Sequence, residues 1–216
     1  MDNRIISVSD LNSWLYCSRK LYLTRISKLQ VSPNRNMMIG KIKHSILENF
    51  SKREETFISS FEKDYDKLDL AFMYEDFLKG ISNLVFIENK PIIDKFLIDK
   101  EDIFKKVMRD FSEDIKLRIQ SIKEVTSKGI FRENICKHLD SVYLSEVRLE
   151  SPQRGLRGRV DRIMISKNTG EIIPFELKSR EERIFHSDEI QLAAYAILLE
   201  DYYKVKIEKG FVEVGN

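Results

Sequence analysis

Residues Gly155 to Glu200 read GLRGRVDRIMISKNTGEIIPFELKSREERIFHSDEIQLAAYAILLE, and this stretch decides the fold. Two β-rich runs, Arg159 to Ile165 and Glu171 to Leu177, flank Lys167-Asn168-Thr169-Gly170. An Asn followed closely by Gly between such runs marks a hairpin. A turn centred between Asn168 and Thr169 makes the numbers of facing residues sum to 337, which sets Asp161 opposite Glu176. Opposed side chains have Cβ atoms roughly 4.5 to 5.5 Å apart, and two carboxylates that close repel unless a cation lies between them. A hard divalent ion is the natural occupant.

Alternation along the second run puts Glu176 and Lys178 on one face and turns Leu177 into the apolar layer, with the Leu177 carbonyl available as an oxygen ligand. One or two carboxylates, a carbonyl and waters make the coordination that Mg²⁺ prefers. Lys178 would stand beside the attacking water or a scissile phosphate and steady developing negative charge. Farther on, Ser187 or Asp188 is expected to cap a helix that carries Gln191 and Tyr195 at i, i+4, hence on one face. Leu192, Ala193, Ala196 and Leu199 give the same helix a packing surface.

The succession G-R-V-D, then P-F-E-L-K with fifteen residues from Asp161 to Glu176, then Q-L-A-A-Y resembles the PD-(D/E)XK nuclease superfamily and its RecB-like branch. Within that branch the chain looks most like the CRISPR-associated RecB-like exonucleases, the fourth Cas family, and their archaeal viral relatives. Residues 14–23 (WLYCSRKLYL) and 40–44 (GKIKH) add to the likeness, while the middle of the chain carries no motif. The resemblance implies an α/β, restriction-endonuclease-like core, a mixed sheet flanked by helices, with a helical N-terminal and middle elaboration. It implies Asp161, Glu176 and Lys178 as catalytic residues, Gln191 and Tyr195 as DNA-positioning residues, and His44, Asp161, Glu176 and the Leu177 carbonyl as ligands of Mg²⁺ or Mn²⁺. An imidazole ligand favours Mn²⁺ tolerance. Taken alone, His44 near Ile42, Ile46 and Leu47 reads as structural. Glu146 or Glu150 is a further acidic candidate.

Most of these relatives hold a four-iron cluster on four cysteines. Only Cys17 stands in a matching position, and Cys136 lies in the wrong region, so an iron-sulfur cluster is not supported by this chain. Either the protein is a cluster-free member or a C-terminal cysteine segment is missing. Cys17 is expected to be a small buried residue.

The 216 residues, 42% of them hydrophobic, suffice for a single nuclease domain, with 1–140 mainly helical elaboration and 141–216 the catalytic sheet core. A net charge of +2 does not by itself argue for nucleic acid. Locally, Arg148, Arg154, Arg157, Arg159, Arg162, Lys167, Lys178, Arg180 and Arg183 face six acids in the same span, a basic surround that suits a phosphodiester. No membrane span or signal peptide is legible, and a cytoplasmic protein is expected. Ser7 or Ser9 caps a first helix to about Ile26, whose Leu11, Trp14, Leu15, Leu21 and Tyr22 read as an apolar, core-facing stripe. A second helix runs from Asn34 to Lys52, helical periodicity is clearest over Asp66 to Ile87 and Glu101 to Ser127, and Ser141 to Glu150 and Lys206 to Val214 read as strands. The functional expectation is a metal-dependent deoxyribonuclease, acting as an exonuclease on single-stranded DNA or free ends and trimming spacer precursors beside the Cas integrase. A structure-specific endonuclease of DNA repair and an inactive DNA-binding assembly subunit stay open, as does homo-oligomerisation.

Overall fold

A computed structural model describes residues 5–30, 32–178 and 183–214. In chain order the elements are β1 (Ile6–Ser7), α1 (Val8–Arg25), α2 (Arg35–Ile58), α3 (Lys67–Glu88), α4 (Lys90–Lys95), α5 (Lys100–Thr126), α6 (Glu133–His138), β2 (Ser141–Ser151), β3 (Leu156–Ser166), β4 (Ile172–Lys178), α7 (His186–Tyr203) and β5 (Phe211–Val214). They form two compact units, one joining Met1–Ser32 to Tyr143–Asn216 and the other spanning Pro33–Val142. None of the described helices is long and apolar enough to cross a membrane.

The first unit is built on a mixed sheet in the order β1-β3-β4-β5, with β2 pairing β3 off that path. The hairpin register is the one read from the turn: Arg162 faces Phe175, Ile163 faces Pro174, Met164 faces Ile173 and Ile165 faces Ile172. β1 runs parallel to β3 through Ile6 and Leu156, and β5 runs parallel to β4 through Glu176 and Val212. That pairing joins β1 and α1 to the unit of the sheet. Val8, Leu149, Val160, Ile163, Ala194, Leu198 and Leu199 make the core of this unit. Each of the Val, Leu and Ile side chains among them contributes about 1.5–3 kcal/mol by leaving water.

Gly158 shows how tightly α7 lies on the sheet. A Cβ there would come within 2.9 Å of Tyr195 Cε1, 3.0 Å of Val8 and 3.2 Å of Leu198. The glycine of G-R-V-D is therefore a close-approach position that lets α7 lay Tyr195 against β3.

The second unit is helical. Asn34, Asp66 and Asp99 cap α2, α3 and α5 by accepting from main-chain amides two or three residues on. α5 is amphipathic, burying Ile103, Val107, Phe111, Ile115, Ile119 and Ile122 at helical spacing. Phe50, Phe57, Tyr74, Phe77 and Phe111 interlock around them. Within this core Arg118 pairs with Glu54 at 3.0 Å, and Tyr74 donates to the same carboxylate at 3.1 Å. Burial pushes the Glu54 carboxyl up, against the pull of Arg118.

Several local expectations are corrected. α1 is not one amphipathic stripe: Cys17 has an extended backbone (φ −163°, ψ 100°) that breaks the helix in two. Cys17 is exposed, not buried, and so are Trp14, Leu15 and Tyr22. The cap of α7 is Phe185, with Asp188 turning back to accept from the Phe185 amide at 2.9 Å. Of the segment 206–214, only Phe211–Val214 joins the sheet. Arg162 is no part of a basic surround: it lies on the face opposite Asp161, 2% exposed, paired with Glu213 and stacked 4.4 Å from the Phe175 ring centroid. Arg180 lies outside the described residues.

Candidate active site

Asp161 sits one residue beyond the Arg162–Phe175 pair, and its Oδ2 accepts the Leu177 amide at 2.8 Å. An aspartate carboxylate thus takes the place of a strand carbonyl where the two strands begin to separate. Glu176 is next to Leu177 on β4 and is only 4% exposed. Its Oε1 receives Lys178 Nζ at 2.6 Å and Gln191 Nε2 at 2.7 Å. Its Oε2 is buried without a hydrogen-bond donor among the described residues.

α7 completes the cluster. Gln191 Oε1 accepts from Lys178 at 2.8 Å, while Gln191 Nε2 also donates to the Tyr195 hydroxyl at 3.0 Å. The amide orientation is fixed by these partners: its oxygen meets the ammonium and its nitrogen meets the two oxygens. Asp188 Oδ1 lies 3.4 Å from Lys178 Nζ, so the carboxylate that caps α7 also flanks the lysine. The structure therefore brings Asp161, Glu176, Lys178, Gln191 and Tyr195 together. His44 is placed on α2 in the helical unit, half-buried.

The electrostatics follow from burial. Removal from water first, and the Asp161 charge second, raise the Glu176 carboxyl from its ordinary 4.5 to about 7, with Lys178 pulling the other way. Burial and the Glu176 charge also push the Tyr195 phenol up, so it keeps its proton.

Glu146 joins the site as well. Glu146 and Asp161 offer carboxylate oxygens within 4.8 Å of each other. Glu146 has φ of 56°, a left-handed backbone inside a strand that a non-glycine residue adopts at a cost of about 1 kcal/mol. The kink breaks the alternation of β2, and Arg159 pairs with the resulting inward carboxylate at 2.6 Å.

Two further residues reach the site through packing that no local pattern in the sequence announces. Asn12 of α1 donates to Gln191 Oε1 at 2.5 Å across 179 positions of chain, and only the packing of α1 on α7 brings the two together. Asp188 was legible as a helix cap, but its place beside Lys178 depends on how α7 approaches β4.

The donor set suits a hard divalent cation. It consists of oxygens, two of its carboxylates repel, and one buried oxygen lacks a donor that a cation would replace. A family model described as the PD-(D/E)XK nuclease superfamily matches residues 5–214. The mixed sheet flanked by helices is the α/β, restriction-endonuclease-like arrangement of that group. No curated protein sequence matches the chain.

Proposed function

This chain belongs to the PD-(D/E)XK nuclease superfamily, and on that premise we propose that it is a divalent-metal-dependent deoxyribonuclease with its reaction centre at Asp161, Glu176 and Lys178. The observation that carries the reading is the buried Glu176 Oε2, which meets no donor among the described residues and stands beside a second carboxylate. A side-chain pair kept only for binding DNA has no use for that repulsion.

A cation held by Asp161, Glu176 and the Leu177 carbonyl would supply Lewis acidity toward the phosphate and make water a better nucleophile. Hydrolysis joins the water oxygen to phosphorus and releases the ester oxygen with a proton. Lys178 presents its ammonium to the charge that grows on the phosphate. Glu176, Gln191 and Asp188 fix that ammonium from three sides, so little reorganisation is needed as charge develops. Tyr195, held neutral, and Gln191 position the strand. Mg²⁺ and Mn²⁺ are the ions this oxygen set accepts. His44 as an additional ligand rests on the G-K-I-K-H resemblance and predicts a His44→Ala variant that loses more activity with Mn²⁺ than with Mg²⁺.

The exonucleolytic, single-strand reading rests on the likeness to RecB-like exonucleases, as does the role of trimming spacer precursors beside the Cas integrase. The test is release of label from single-stranded DNA with Mn²⁺ or Mg²⁺, by wild type and by Asp161→Ala. Wild type is expected to release label only with metal, and Asp161→Ala to lose the activity. Equal release by both removes the site assignment. A circular single strand left intact supports the exonuclease, and a nicked circle replaces it with an endonuclease.

A further inference from the structure

α1 changes character along its length. Its first turns are sealed, with Val8 in the core and Asn12 bonded to Gln191. From Trp14 to Lys20, through the break at Cys17, every residue is exposed. Trp14 is 56% exposed, Tyr16 76% and Tyr22 58%. Three large aromatic side chains in water on one short element are a poor use of apolar area unless something covers them.

The charge on the same segment says what kind of partner fits. Between Val8 and Gln30 the one acid is Asp10, and Arg25 pairs with it at 2.7 Å. Arg19, Lys20 and Lys28 have no carboxylate partner among the described residues, and Lys20 Nζ lies 5.7 Å from the Tyr16 ring centroid. Flat rings and cations that meet no carboxylate among the described residues, alternating along one exposed segment, are the two chemistries an unpaired nucleic-acid strand uses: π-faces for bases, positive charge for phosphates.

We propose that the kinked half of α1 is a strand-binding platform, on which Trp14, Tyr16 and Tyr22 stack with unpaired bases while Arg19, Lys20 and Lys28 hold the phosphates between them. The inference rests on the DNA-cleaving reading and adds to it a surface, outside the reaction centre, that holds the unpaired strand. The platform is continuous with the reaction centre, because Asn12 touches Gln191 two residues before Trp14. At ~1.5 Å rise per residue, and about twice that through the extended Cys17, Tyr22 lies roughly 15 Å farther along the path of α1. With phosphates ~3.4 Å or more apart along a strand, the platform spans at most about four nucleotides next to the cut site.

Trp14 is the sole tryptophan, so its emission reports on the platform without a label. The full chain, with metal chelated to prevent cleavage, is titrated with a 20-nucleotide oligothymidylate, and binding is followed in parallel by anisotropy of a labelled copy. Saturable quenching of Trp14 is expected, with a blunt duplex of the same length producing little. Tyr16→Ala and Tyr22→Ala are each expected to weaken oligonucleotide binding roughly tenfold, the scale of one lost base–aromatic stack. Oligonucleotide that binds by anisotropy yet leaves Trp14 emission unchanged overturns the platform. So does a concentration-dependent dimer in sedimentation that Trp14→Ala abolishes, since a second copy would then cover this face. Cleavage by wild type in Mn²⁺ is measured alongside: cleavage without quenching removes the platform alone, and neither binding nor cleavage removes the nuclease reading with it.

Discussion

Glu176→Gln separates the charge of the buried carboxylate from its shape. With metal chelated, the unfolded chain ionises this glutamate near 4.5, while the folded chain holds the proton until about 7. Folding therefore takes up a proton between those values, so stability is full below the lower one and falls as pH rises through the window. At about 1.4 kcal/mol per pH unit, the loss levels off above neutrality at roughly 3 kcal/mol. This figure is already net of the attraction to Lys178, which opposes the rise. Gln cannot ionise, so this component of the pH dependence vanishes in the variant. Its oxygen still accepts from Lys178 and Gln191, and its amide N–H, standing where Oε2 stood, can donate to the neighbouring Asp161 carboxylate, so the acceptor without a donor is gone.

Urea unfolding followed by circular dichroism, in EDTA from pH 4.5 to 8, is the assay. The variant is expected to gain on wild type by roughly 3 kcal/mol across that range. Adding Mn²⁺ at pH 8 should reverse the ranking, because the cation binds the ionised carboxylate and stabilises only the protein that can present it. Parallel curves for the two proteins in EDTA would refute the buried, mutually repelling acid pair.

Substitutions at three other positions test the surroundings of that pair. Asn12→Ala removes one donor from Gln191 Oε1 and is expected to lower kcat about fivefold, on the scale of one hydrogen bond. Asn12→Asp should cost more than Asn12→Ala, because a carboxylate facing Gln191 Oε1 forces the amide to turn its nitrogen away from Glu176; steady-state kinetics rank the two, and the opposite order defeats the argument. Asp188→Asn keeps the acceptor for the Phe185 amide but removes the charge beside Lys178, so cleavage should fall while the melting temperature barely moves; Asp188→Ala should add roughly 1 kcal/mol of destabilisation from the lost cap. Gly158→Ala sets a methyl 2.9 Å from Tyr195 Cε1 and should cost about 1–3 kcal/mol in thermal unfolding and slow cleavage together, since α7 must move to make room.

The parts of this protein legible in its sequence are those fixed by short-range geometry. The hairpin register came from the turn around Asn168 and Thr169, and with it the juxtaposition of Asp161 and Glu176. Strand alternation placed Lys178 with Glu176, and helical spacing placed Gln191 with Tyr195. The same alternation also turns Arg162 away from Asp161 into its pairing with Glu213, which counting charges by sequence proximity overlooks.

What sequence did not disclose depends on how elements meet. Apolar spacing in α1 suggested a core stripe, but a periodicity argument assumes an unbroken helix, and the extended backbone at Cys17 breaks it. Past that break the aromatic residues have no core to enter, and their exposure, not their spacing, makes them informative. Asn12 belongs to the site through α1 packing on α7, a contact between opposite ends of the chain. The left-handed backbone of Glu146 is likewise visible only in three dimensions. These features share one consequence: the helices and β2 orient the groups that the hairpin brings together. A hairpin grafted alone would keep the Asp161–Glu176 juxtaposition but lose Gln191, Asp188 and Asn12, leaving Lys178 one carboxylate partner and no fixed direction.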